Sequence, residues 1–223
     1  MEFIKVPRML IEQQDIGDKR VLIFLSAIFF DWTGSCFDDF VEFCGYSKLN
    51  RHKDSAMEQV QDTLMYLYTS KFLYKDAGNV VPVNRADCFG IIYRDEFFKI
   101  VNYRKLLCGE GKRMNHAHVL LMLACVRCHM FHIAGRPRVY SNLLKRISNQ
   151  IGISVRSLSN CIRTLEDLGI LHSEELPRYK DCDGHWHSNV RIFVDRHDRT
   201  NSAYDWLVET RRGINMILAS QLG

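Results

Sequence analysis

Two apolar helical patterns that meet at a glycine constrain the fold of this chain more than any other feature. Leu143, Leu144, Ile147 and Ile151 recur on one face of a helix that Ser141 is placed to cap. Gly152 then allows a tight turn, and Ile153 is placed to bury itself in the angle between two helices. Ser154 caps the next helix, in which Val155, Leu158, Ile162, Leu165 and Leu168 recur at helical spacing and should face a core. The opposite face carries Arg156, Ser157, Ser159, Asn160, Arg163 and Thr164, with no acid before Glu166. Such donors and acceptors read base edges or hold phosphates, so this helix suits a DNA major groove.

Gly169 ends the second helix, and Ile170-Leu171-His172 reads as a short strand. Arg178 to Asp183 and Asn189 to Val194 follow as a hairpin around Asp183-Gly184, a strong turn dipeptide. Arg178, Lys180, His185, His187 and Arg191 are expected to line its tip and flank.

The charge distribution agrees with a polyanionic partner. Net charge is only +4, yet Gly111 to Leu165 holds no Asp or Glu and nine Lys or Arg: Lys112, Arg113, Arg127, Arg136, Arg138, Lys145, Arg146, Arg156 and Arg163. The remainder must then carry about −5 (+4 less nine). A basic segment in an otherwise acidic chain is the footprint expected of a nucleic-acid binder; the plainer alternative is a solvated basic face.

The same plan reads twice along the chain. Glu2-Phe3-Ile4-Lys5-Val6 returns as Glu96-Phe97-Phe98-Lys99-Ile100, and about twenty residues after each begins a long apolar helix, Val21 to Ala27 or Val119 to Cys125. A short helix ending at Gly45 or Gly152 follows, then another helix and a β-prone piece, Lys71 to Tyr74 or Gly169 to His172. In the first copy Ser35 is placed to cap the short helix, and Gly45-Tyr46-Ser47 makes the turn. Lys48, Asn50, Arg51 and Lys53 then stand at the head of the long helix as DNA-contact candidates. Acids at Asp38, Asp39 and Glu42 make protein interaction an equal alternative for this copy. Thr200 to Leu222 reads as a further helix expected to pack on the second unit, with a homodimer contact as the alternative.

The run ISNQIGISVRSLSNCIRTLEDLGIL, about a quarter of the chain with its flanks, resembles the winged helix-turn-helix units of bacterial regulators and replication initiators. Gly152-Ile153-Ser154-Val155-Arg156-Ser157 matches the segment that bridges the two helices in those families, and Leu165 to Leu171 the junction of recognition helix and wing. The arrangement as a whole is similar to plasmid and phage replication initiators and to DnaD-like primosomal proteins. The resemblance implies an α+β, predominantly helical fold with two tandem winged helix-turn-helix units. Residues 1–94 would form the first, 95–198 the second and 199–223 a C-terminal helix. It implies sequence-specific binding of double-stranded DNA, in replication initiation of a plasmid or phage. A protein-interaction module of a replication complex and a transcriptional regulator are the alternatives. Arg156, Asn160 and Arg163, with Ser157 and Ser159, would approach base edges; Lys145, Arg146, Arg178, Lys180 and Arg191 would hold phosphates.

Other classes find less support. The longest apolar stretch, Val21 to Phe30, is too short to span a bilayer, and MEFIKVPRML lacks a secretory pattern, so a cytoplasmic location is expected. The settings of Cys36, Cys44, Cys108, Cys125 and Cys161 in or beside apolar runs favour reduced core thiols. Cys125, Cys128, His129 and His132, or Cys182, His185 and His187, have zinc-like spacing, but a Cys pair inside an apolar helix is more simply core; no metal or cofactor is expected. Gly109 to Lys112 is too short for a phosphate-binding loop, and no catalytic motif is found. Single-stranded nucleic acid is a weaker alternative, with Tyr140 and Trp186 as the aromatics near the basic segment.

Overall fold

The computed structural model describes residues 3–30, 37–44, 53–83, 88–104, 114–130, 138–180, 183–187, 190–196 and 202–220. The fold is α+β, with helices predominating and small antiparallel sheets. Two compact units divide the chain: Met1–Cys128 with Ile151–Ile153, and His129–Gln150 with Ser154–Gly223. Packing thus divides the chain later than residue 94, and the C-terminal residues belong to the second unit.

The first unit opens with strand β1 (Phe3–Pro7), helix α1 (Arg8–Glu12) and helix α2 (Arg20–Phe29). Every residue of α2 is buried, as expected of a helix apolar on all sides. Its first residue, Arg20, is buried too, and its guanidinium donates to the carbonyls of Leu10 (2.9 Å), Ile11 and Gly17 (2.7 Å). Burial lowers its pKa to about 10, which leaves it charged at neutral pH. Helices α3 (Phe37–Phe43) and α4 (Lys53–Thr69) follow. Ala56, Val60, Thr63, Leu64 and Leu67 form the buried side of α4.

A hairpin of β2 (Leu73–Asp76) and β3 (Asn79–Pro82) turns at Ala77 and Gly78, both with positive φ (48° and 86°). That pair of left-handed residues is what a two-residue hairpin turn requires. Strand β4 (Phe89–Tyr93) returns to pair antiparallel with β1, Phe3 opposite Tyr93 and Pro7 opposite Phe89. Helices α5 (Arg94–Asn102) and α6 (His116–His129) complete the unit except for His129.

The proposed repeat of Glu2–Val6 in Glu96–Ile100 does not survive as structure. The first lies mostly in strand β1, where Ile4 and Val6 alternate inward; the second lies in helix α5, where Glu96, Phe97 and Ile100 are buried. Local capping favours the helix: the Tyr93 backbone N–H donates to Glu96 Oε2 at 3.3 Å. Glu96 also accepts from Arg127 on α6 at 2.5 and 2.7 Å, and Arg127 donates to the Ile91 carbonyl at 2.9 Å.

The second unit contains β5 (Val139–Asn142), α7 (Leu144–Ile151, whose last residue groups with the first unit) and α8 (Val155–Asp167). Strands β6 (Leu171–Glu175), β7 (Tyr179–Lys180), β8 (Trp186–His187) and β9 (Arg191–Asp195) follow, then helix α9 (Ser202–Ser220). The three-stranded sheet has the order β5-β9-β6, all antiparallel, and β7 pairs with β8 beyond it. As the central strand, β9 buries Ile192, Phe193 and Val194. Ser141 lies in β5, opposite Ile192, so it does not cap α7. The Asn142 side-chain oxygen accepts from the Leu143 N–H at 2.8 Å just before the helix begins. Helix α9 packs on this unit through Leu207 and Ile214, which share a buried cluster with Leu176, Ile192 and Val194.

Candidate nucleic-acid interface

The turn between α7 and α8 follows the expected chemistry. Gly152 has φ +76°, a conformation that favours glycine, and Ile153 is buried. The Ser154 hydroxyl caps α8 by accepting from the Ser157 N–H at 3.2 Å, and it donates to Ser157 Oγ at 2.9 Å. Leu158, Cys161, Ile162 and Leu165 form the buried face of α8. Burial pushes the Cys161 thiol up to about 12, so it stays a neutral core group.

Arg156 and Arg163 are exposed on the opposite side, with Ser159 and Asn160 partly exposed between them. At about 100° per residue, Arg156, Asn160 and Arg163 fall on one stripe. Two residues depart from the expected division. Thr164 is buried and Val155 is 41% exposed, because they sit at the flanks of the buried arc, where periodicity alone does not decide. Ser159 donates to the Val155 carbonyl at 3.1 Å within its own helix, and Ser157 is engaged by the cap. The arginines and Asn160 therefore carry more of the outward chemistry than the serines. Lys145 and Arg146 are exposed on α7.

On the hairpin, Arg178 and Lys180 are exposed, and Gly184 makes the turn at φ +84°. The Arg178 guanidinium carbon lies 4.4 Å from the centre of the Trp186 ring, a cation–π contact. Arg191 is placed differently from Arg178. It donates to Ser173 Oγ at 3.0 Å and to Glu175 Oε2 at 3.1 Å, which ties its guanidinium to β6. Ser173 in turn donates to Glu166 Oε1 on α8 from its hydroxyl (2.8 Å) and its N–H (3.1 Å). Glu166, Ser173, Arg191 and Glu175 thus form one chain that fastens α8 to the sheet. Arg191 holds β9 to β6 more than it presents charge outward. Sequence reasoning missed this chain, since Arg191 stands 18 and 16 residues from Ser173 and Glu175 and nothing local pairs them.

One charge of the basic segment is also spent inward. Arg127 is 1% exposed and paired with Glu96, itself 2% exposed, so its charge is balanced inside the protein. Lys112, Arg113 and Arg136 lie outside the described residues, as do Lys48, Asn50 and Arg51 with the Gly45-Tyr46-Ser47 turn and the Ser35 cap. Lys53 begins α4, and its side chain is outside the described set.

Cys44, Cys125, Cys128 and Cys161 are buried free thiols, while Cys88 is exposed. Among the described residues no group of three or more His, Cys, Asp or Glu is placed to hold a metal ion, and no helix is long and apolar enough to cross a membrane. No family model, curated protein or solved structure matches the chain.

Proposed function

We propose that the second unit is a winged helix-turn-helix that binds double-stranded DNA in a sequence-dependent way. The observation that carries this reading is the exposed stripe of Arg156, Asn160 and Arg163 on α8, directly after a glycine turn and before an antiparallel hairpin. Element order and sheet order support it: strand, helix, turn, helix, then four strands, the last of which is central in the three-stranded sheet. In this reading α8 enters the major groove, Lys145 and Arg146 hold phosphates, and the hairpin with Arg178 and Lys180 is the wing. The tandem arrangement, with α2, α3, α4 and the β2–β3 hairpin as a first winged unit, belongs to the same proposal. So does a role in starting replication of a plasmid or phage. Transcriptional regulation uses the same docking surface.

A second reading is an interaction module of a replication complex. It draws on the outward side of α9, where Val208 and Met216 are 65% and 67% exposed.

Fluorescence anisotropy of the purified chain on random duplex, at low and moderate salt, separates the two. Several phosphate contacts make duplex binding fall steeply as salt rises. Absence of duplex binding at low salt would sink the DNA reading and turn the search to protein partners.

A further inference from the structure

Trp186 is the observation the duplex reading leaves unexplained. It is 59% exposed, although Trp206 of the same unit packs against the buried cluster of α9 and the sheet. An indole in water forgoes the burial that normally justifies so large an apolar group. Its position is held: Trp186 lies opposite Lys180 in the β7–β8 pair, beside the Gly184 turn, and the Arg178 guanidinium sits 4.4 Å from its ring centre. The hairpin therefore presents a braced aromatic surface with two exposed cations, Arg178 and Lys180, next to it.

We propose that this hairpin tip is a stacking site for an unpaired nucleobase of single-stranded DNA. A flat aromatic face beside positive charge fits a base attached to a phosphate: the ring stacks on the indole, and the cations meet the backbone. A base inside a duplex already has both faces covered by its neighbours, so it cannot stack on Trp186 without being unstacked first. The ligand is thus an unpaired base in a tail, fork or gap. The site rests on the DNA-binding reading for its adjoining duplex, yet it uses different residues from the α8 stripe. It gives the chain a preference for junctions over uninterrupted duplex.

The test compares a blunt duplex with the same duplex extended by a short single-stranded tail, whose first unpaired position is 2-aminopurine. The tailed DNA should bind about tenfold more tightly, with 2-aminopurine emission quenched by the indole. Trp186→Ala should abolish both the preference and the quenching while keeping the circular dichroism spectrum, and should lower tailed-DNA affinity far more than blunt-duplex affinity. Trp186→Phe, which keeps an aromatic face, should restore part of the preference. Equal binding of both DNAs by the wild type, or a preference unchanged in Trp186→Ala, overturns the stacking site and leaves the duplex reading intact. Binding of the tailed DNA alone, with quenching that depends on Trp186, keeps the stacking site and removes the duplex reading. Binding of neither DNA overturns both.

Discussion

Three arginines of the second half illustrate how position decides what a guanidinium does. Arg156 stands exposed on α8, Arg191 is tied to Ser173 and Glu175, and Arg127 is buried against Glu96. In the proposed reading only the first would meet base edges. Arg156→Ala should therefore weaken binding to the preferred duplex site by about 1–3 kcal/mol and random duplex far less, if its contact is bidentate. Competition anisotropy with specific and random DNA measures the difference; an equal loss on both would demote Arg156 to a phosphate contact. The exposure of Arg156 and Arg163 was legible from helical spacing, because a strongly amphipathic helix has one dry side. The fate of Arg127 was not, since its partner lies 31 residues away on another helix. Its surrounding run is apolar, which hinted at burial, but nothing local named Glu96 as the balancing charge. An unpaired buried guanidinium would be strongly unfavourable, so the two residues stand or fall together.

Elements depend on their neighbours as much as on their own pattern. Glu2–Val6 and Glu96–Ile100 share a pattern of acid, aromatic, apolar, lysine and apolar residues, yet one enters a strand and the other a helix. The strand exists because β4 returns to pair with β1, and the helix because Glu96 serves both its own amino terminus and Arg127. Gly90, in the middle of β4, marks a close approach that a sequence pattern cannot convey. A Cβ there would stand 2.2 Å from the Ala124 carbonyl oxygen of α6, which is backbone and cannot swing aside. Gly90→Ala should therefore destabilise the first unit by roughly 1–3 kcal/mol through overpacking. Urea denaturation followed by circular dichroism would show a lowered midpoint; an unchanged midpoint would mean the strand and helix are not so close. The same contact explains why α6 groups with the first unit although its sequence reads as the opening of the second. By contrast, the α7–α8 turn was legible almost residue by residue. Its Gly152, Ile153 and Ser154 act through local backbone geometry and capping, which need no distant partner.

At the scale of the whole molecule, two compact units each bury their own core. In the second, α9 contributes Leu207 and Ile214 to the cluster around Ile192 and Val194, so the C-terminal helix is part of the core rather than an appendage. Leu207→Ala should cost about 2–5 kcal/mol of that unit's stability, the range for emptying a buried leucine site. Thermal unfolding of Leu207→Ala beside Val208→Ala checks this, since Val208 is exposed and its variant should unfold as the wild type does; equal melting of both would remove α9 from the core. By itself the sequence determined what local interactions decide: the helices on either side of Gly152, the cap at Ser154, the outward arginines of α8 and the hairpin turn at Gly184. Those depend on residues within a few positions of one another, where backbone preference and helical period act directly. Tertiary structure alone decided the pairing of β1 with β4, the burial of Arg127 on Glu96 and the diversion of Arg191 to Ser173 and Glu175. Each joins residues remote in the chain, and such contacts form only when folding removes both partners from water together.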